Sequence, residues 1–297
     1  MSDRNQEKTN KHAFIRKIII ALCLVVMITT GGVLLWNYIS QYNSSQKYTA
    51  MQKQVLSREE PVEREGSRYI VKDEVEEVGE FLEVAEVSEV PADSNMQTAV
   101  DFEALWKENE HIYAWITIPD TNVNYPVLQH PTDDTYYLNY NVDGSKGYPG
   151  CIYTEKINAK DFSDFNTLIY GHNMKNGSMF HDLHQYKKDG FREGHPYVYV
   201  YLPERTLKFQ IVATYQFDDR HILYSFDFSK ENVRDSYIAD IRKKADEAVL
   251  EELDMLGITL DSDSDIITMA TCVSGTNYRY LVQAVLIEDI AVEAHTD

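Results

Sequence analysis

The sequence predicts a mostly β domain, closed or nearly closed into a barrel and decorated by helices, standing behind an N-terminal transmembrane helix and an acidic stalk. Three observations carry this. Short β-rich runs recur between residues 114 and 290, an uncharged apolar run fills residues 18–36, and a Glu-dense stretch separates the two.

The apolar run reads IIIALCLVVMITTGGVLLW. At 1.5 Å per helical residue it spans roughly 28 Å, about the hydrocarbon thickness of a bilayer. Trp36 and Tyr38 stand where interfacial aromatics are expected, and Arg4, Lys8, Lys11, Arg16 and Lys17 precede the run. The positive-inside rule then puts the N-terminus in the cytoplasm and the remainder outside. The residues after Trp36 offer a poor cleavage site, which favours an uncleaved single-pass anchor over a signal peptide. From Glu59 to Asp93 Glu dominates, with Val71, Val75, Val78, Leu82 and Ala85 on one helical face. These shifts divide the chain into a cytoplasmic N-terminus (1–17), an anchor (18–37), an acidic extracellular stalk (38–96) and a folded domain (97–297).

In the folded part, Phe102, Leu105, Trp106 and Asn109 share a helical face ahead of an extended stretch, 114–119, and a second one reaching Gln129. Further strands are expected at 151–154, 166–170, 197–202, 207–217, 266–271 and 279–290, with strict alternation in Tyr197-Val-Tyr-Val-Tyr-Leu202. One long helix is expected from about Lys230 to Leu256. The 48 acidic against 28 basic side chains give a formal net charge of −20, which argues against nucleic acid as a partner. Aromatic residues at 12%, with 21 Tyr, supply core material, and 3 Cys exclude a disulfide scaffold. Cys23 lies in the anchor; Cys151 and Cys272 either pair or leave a reactive thiol.

Two stretches carry candidate chemistry. Asn166-Thr-Leu-Ile-Tyr-Gly-His172 ends a β-run on a histidine at the mouth of an Asn/Gly-rich loop, anchored at its backbone yet open to solvent, as a general acid or base needs. Asp265 to Cys272 is an apolar strand that delivers a cysteine at its end. Turn material then leads to Arg279 and another apolar strand, so Cys272 and Arg279 face each other across a hairpin mouth. A cation beside a thiol lowers its pKa, and a guanidinium can hold an oxygen that gains charge.

In this order, behind an anchor, the motifs resemble the sortases, cysteine transpeptidases of Gram-positive surfaces, and class B most closely. The resemblance covers residues 100 to 290. It rests on Tyr125-Pro-Val-Leu-Gln129, Asp134-Thr-Tyr-Tyr-Leu-Asn139, the Tyr-Gly-His-Asn-Met-x-x-Gly-Ser-Met-Phe block and the Thr-x-x-Thr-Cys strand with its Arg279 partner. It implies an eight-stranded sortase-type β-barrel with Cys272 as nucleophile, His172 as general acid and Arg279 as oxyanion or substrate holder. Asn139, Tyr170, Ile222, Ala270 and Thr271 would line the groove. Cys272 must then be a free thiol and Cys151 a small core hydrophobe. The implied partners are secreted proteins bearing an Asn-Pro-x-Thr or Leu-Pro-x-Thr sorting signal and an amine on a lipid-linked peptidoglycan precursor, with no cofactor and no metal. Met269, Ala270, Val273 and His221 depart from the usual class B residues and bear on motif preference.

Four other readings compete. A pilin-polymerising sortase would use the same chemistry. An L,D-transpeptidase would want Arg almost directly after the Cys, which Thr-Cys-Val-Ser-Gly does not supply. A metal hydrolase would need His172, His181 and His184 as ligands, although His181 and His184 read more simply as two exposed helix residues. A surface binding module would share the anchor, stalk and barrel but give no reason for the Cys/His/Arg trio.

Overall fold

The computed structural model describes residues 2–56 and 100–291. The acidic stretch with its expected helix at 71–85 lies outside them. Helix α1 (Ser2–Leu56) is followed by α2 (Phe102–Glu108), β1 (Ile112–Thr117), β2 (Asn124–Leu128), α3 (Tyr136–Asn139), β3 (Ile152–Thr154) and β4 (Asn166–Tyr170). A 3-10 helix (His181–Lys187), α4 (Phe191–Gly194), β5 (Tyr197–Tyr201), β6 (Arg205–Phe217) and α5 (Ile222–Ser225) come next. The order ends with α6 (Glu231–Arg242), α7 (Glu247–Met255), β7 (Ile266–Cys272) and β8 (Arg279–Ala291).

The eight strands close into a barrel in the order β1-β2-β3-β4-β7-β8-β6-β5. The neighbours are antiparallel except β2 with β3 and β4 with β7. Strand alternation divides the apolar residues into two cores. Ile169, Ile267, Met269, Val282 and Ala284 join a cluster fed by all eight strands, so they point into the barrel. Leu168, Ile266, Ala270, Leu281 and Val285 point outward and are covered by Ile222, Tyr237, Ile241, Val249 and Leu253 from α5, α6 and α7. The single long helix expected from 230 to 256 is therefore two. Asp246 takes extended backbone (ψ 145°) between them, letting each helix lay its own apolar stripe on the sheet.

A buried polar knot fastens that layer. The Tyr237 hydroxyl accepts from Gln283 Nε2 (2.8 Å) and Asn166 Nδ2 (3.3 Å), while Thr268 Oγ1 donates to Asn166 Oδ1 (2.8 Å).

The boundary expected between anchor and stalk, at residues 37 and 38, falls inside α1. Residues 18–36 carry exposed apolar side chains, and the segment is long and apolar enough to cross a membrane by length and composition. The helix continues beyond residue 37, and Ser44, Tyr48 and Met51, spaced on one face, are buried against the barrel. The Tyr48 hydroxyl lies 2.7 Å from the Gly150 carbonyl and 3.3 Å from Cys151 Sγ. Gln52 Nε2 donates to the Asn124 carbonyl (2.6 Å), and Lys47 pairs with Glu108 (2.9 Å).

Tyr237→Phe should destabilise the domain by about 1–3 kcal/mol, because Gln283 and Asn166 keep buried N–H groups with no acceptor. A denaturant midpoint shift at constant slope would register this, and an unchanged midpoint would remove the knot from the account.

Candidate active site

β4 and β7 run parallel with Tyr170 opposite Ala270, and Gly171 N–H donates to the Ala270 carbonyl (3.2 Å). Both strands then end within two residues. The paired register thus brings the strand ends that carry His172 and Cys272 to the same end of the barrel. Gly171 is required here, since a Cβ would meet the Ile152 side chain and come within 2.6 Å of the Phe180 ring. That close approach folds the Asn/Gly loop back, with Phe180 N–H donating to the His172 carbonyl (3.0 Å).

Cys272 is the last residue of β7 and solvent-exposed; Arg279 opens β8 directly opposite. The hairpin closes through Val273 N–H to the Tyr278 carbonyl (3.0 Å), with Gly275 at φ +78°. That bond makes Cys272 and Arg279 a non-hydrogen-bonded pair, the kind whose side chains lie closest, about 4.5–5.5 Å between Cβ atoms. Among the described residues no hydrogen bond or ion pair engages the Arg279 guanidinium. Its charge reaches Tyr153 and Tyr170, whose phenols burial pushes well above the ordinary range while Arg279 draws them down.

His172 Nε2 lies 2.8 Å from the Leu138 carbonyl. A carbonyl only accepts, so Nε2 carries a proton and Nδ1 is the nitrogen left for proton transfer. Tyr148 meets the ring edge-on at 5.1 Å between centroids, and Gly150 passes behind it at φ +68°, where a Cβ would meet the Tyr137 carbonyl at 2.8 Å.

The expected groove residues divide. Tyr170, Ala270 and Ile222 meet on the outer face, in the cluster beneath α5. Asn139 is exposed at the end of α3, next to the Leu138 carbonyl that holds His172. Thr271 is not brought together with them. It is 1% exposed and, by strand alternation, points into the barrel, opposite to Ala270 and Cys272. All three cysteines are free, and burial pushes the Cys151 thiol up to about 12.

The structure adds Glu155 and gives His221, His181 and His184 partners that the sequence reading did not. Glu155 Oε2 lies 2.7 Å from His221 Nε2, which also meets the Tyr170 hydroxyl at 3.1 Å, so an acid–imidazole pair backs the groove; burial raises the Glu155 carboxyl and His221 opposes it. The 3-10 helix turns His181 and His184 toward the cysteine. His181 Nδ1 meets Asn173 Oδ1 at 2.9 Å, and His184 Nε2 meets the Cys272 carbonyl at 3.0 Å. The Asp-Leu spacing between the two histidines is the only trace of this in the sequence. No group of three or more metal-ligating side chains forms among the described residues.

A sortase-domain family model matches residues 116–287, which includes β2 to β7 in full and every candidate catalytic side chain. Sortase B of Listeria monocytogenes is 30% identical over 186 residues, covering 62% of this chain and 72% of the relative. The X-ray structure of Clostridium perfringens sortase B is similar at a TM-score of 0.54 and 27% identity, covering 63% of this chain and all of that one. A Staphylococcus aureus sortase B–substrate complex is similar at a TM-score of 0.54 and 26% identity, covering 65% of this chain and 85% of that one. Its barrel, its exposed strand-end cysteine and these relatives together show that the chain belongs to the sortase family, as a class B-like cysteine transpeptidase.

Proposed function

We propose that Cys272 is the nucleophile, His172 the general acid and base, and Arg279 the oxyanion donor of a transpeptidase that sorts secreted proteins. The observation that carries this is the register of β4, β7 and β8, which sets an exposed Cys272 opposite an uncommitted guanidinium and beside the strand end bearing His172. The substrate is a C-terminal sorting signal of the Asn-Pro-x-Thr or Leu-Pro-x-Thr type, lying in the groove of Tyr170, Ala270 and Ile222. The Cys272 thiolate attacks the Thr carbonyl carbon. The oxygen gains charge, the C–N bond breaks, and His172 Nδ1 gives its proton to the leaving amine. The thioacyl enzyme is then attacked by an amine of a lipid-linked peptidoglycan precursor. His172 takes up the amine's proton, the C–S bond breaks, and the thiolate is restored. A thioester persists long enough for the amine to compete with water, so the product is a new amide.

The backbone supports the role given to Arg279. The amide after a nucleophile often helps form an oxyanion hole, but Val273 N–H is committed to the Tyr278 carbonyl. The guanidinium is the donor that remains at this mouth. The anchor supports the choice of amine. With residues 18–36 in lipid, the basic N-terminus in the cytoplasm and α1 continuous to Tyr48, the domain sits about 18 Å of helix from the membrane surface, where a lipid-linked acceptor resides.

Cys272→Ala should leave a folded protein that no longer cleaves a fluorogenic sorting peptide, and retained cleavage would sink the assignment. Arg279→Lys should lower kcat by roughly 100-fold, because an ammonium cannot reproduce the planar fork; wild-type turnover would rule out an oxyanion role. Iodoacetamide at pH 8, with sites located by mass spectrometry, should label Cys272 and spare Cys151 in the folded protein, since Cys151 is 1% exposed and its thiol is held protonated. Labelling of both at equal rates would contradict the burial argument.

A further inference from the structure

β7 outruns its parallel neighbour. In the ladder between them, Gly171 N–H serves the Ala270 carbonyl, and the same two-residue step would bring Asn173 N–H to the Cys272 carbonyl. That backbone bond is absent, because the chain turns away at His172 and Asn173 pairs instead with Met179 in an antiparallel bridge. The Cys272 carbonyl, on the β4 side of β7, therefore loses its strand partner at the residue carrying the candidate nucleophile. Two side chains take the vacant place. Asn173 Nδ2 donates to this oxygen at 3.2 Å, and His184 Nε2 meets it at 3.0 Å. His181 Nδ1 at Asn173 Oδ1 fixes which way the amide points. The His184 ring stacks on Tyr280, 5.1 Å between centroids and 30° between planes, which restricts its rotation. Burial lowers the His184 pKa, the Cys272 carbonyl opposes this, and Lys187 and His181 add to the lowering. The ring is thus neutral at neutral pH, and because the carbonyl can only accept, Nε2 bears the proton.

We propose that His184 is a positioning residue of the transpeptidase: with Asn173 it replaces the missing β4 strand, pins the Cys272 carbonyl, and so holds the thiolate in the attack geometry opposite Arg279. This rests on the assignment of Cys272 as nucleophile and extends it to a residue 88 positions away. A strand end without a ladder partner frays, and small displacements of a nucleophile are costly to rate while leaving binding largely intact. The clamp acts on the backbone, so it exists whatever side chain residue 272 carries.

Two substitutions separate the hydrogen bond from the ring. His184→Phe keeps the stack on Tyr280 and removes the donor; His184→Gln removes the stack and returns an N–H. With a sorting-motif peptide, His184→Phe should lower kcat about three- to tenfold with KM moving less than about twofold, and His184→Gln should recover most of that loss. Amide exchange across residues 272–279 should quicken in the Phe variant and stay near wild type in the Gln variant, both with and without Cys272→Ala. Wild-type kcat and exchange in His184→Phe would overturn the proposal, as would equal losses in Phe and Gln. Should His184→Phe fail to fold, Asn173→Asp decides by the same measurements, since it removes the other donor at constant size; unchanged kcat and exchange there would also overturn it. Failure of the nucleophile assignment would show separately, as peptide cleavage surviving Cys272→Ala.

Discussion

Parallel pairing of Tyr170 with Ala270 is the constraint on which the site depends, because it converts two distant stretches of chain into adjacent strand ends. Side chains alternate along a strand, so a slip of one residue would send Cys272 into the barrel and bring Thr271 out. The register is held from both faces. Inward, Ile169 and Met269 fill the barrel interior. Outward, the Tyr237 hydroxyl accepts from Asn166 and Gln283 and so ties α6 to the sheet, while Thr268 donates to Asn166 and accepts from Gln283. Shifting β4 against β7 would break these bonds and strand buried polar groups, a cost larger than any single apolar contact in the pair.

A site at a strand end gains exposure and loses ladder support. Antiparallel β8 supports Cys272 on one side through the tight hairpin, and the Asn173–His184 pair stands in on the other. His172 faces the same problem on its own loop. There the Leu138 carbonyl, the Tyr148 ring and the close passage of Gly150 take the place of a strand. The Cys272 backbone and the His172 ring are thus held from outside their own strands, while the Arg279 guanidinium has no hydrogen-bond or ion-pair partner among the described residues. A guanidinium intended for a substrate oxygen gains from that freedom, since no internal partner must first be displaced.

Much of this is legible in the sequence where the signal is local. All eight strands fall where β-rich runs stand, and the seven-residue step from Cys272 to Arg279 with its turn residues already specifies facing positions across a hairpin. Alternation could also have excluded Thr271, since neighbours on a strand cannot both line one groove. What is not legible depends on tertiary pairing. His181-Asp-Leu-His184 has the spacing of an exposed helix pair, and nothing in that spacing says which strand end will lie beneath it. The break between α6 and α7 is likewise invisible to periodicity, because each half keeps its own apolar stripe. Glu155 and His221 lie 66 residues apart and become partners only when the barrel closes.

The apolar segment of α1 is joined to the barrel by continuous helix. A flexible tether beginning at residue 38 would leave the domain free to tumble, whereas α1 carries its helix without interruption from the apolar run to Tyr48 and Met51 on the barrel wall. The Tyr48 hydroxyl then reaches the Gly150 carbonyl, and Gly150 is the residue packed behind the His172 ring. One helix therefore touches both the apolar segment and the loop that orients the proposed general acid. A rigid helix transmits orientation as well as distance, so the direction in which the groove opens relative to the apolar segment is set by the helical phase between Trp36 and Tyr48. Each residue inserted there would turn the domain by about 100° about the helix axis, while lengthening the arm by only about 1.5 Å.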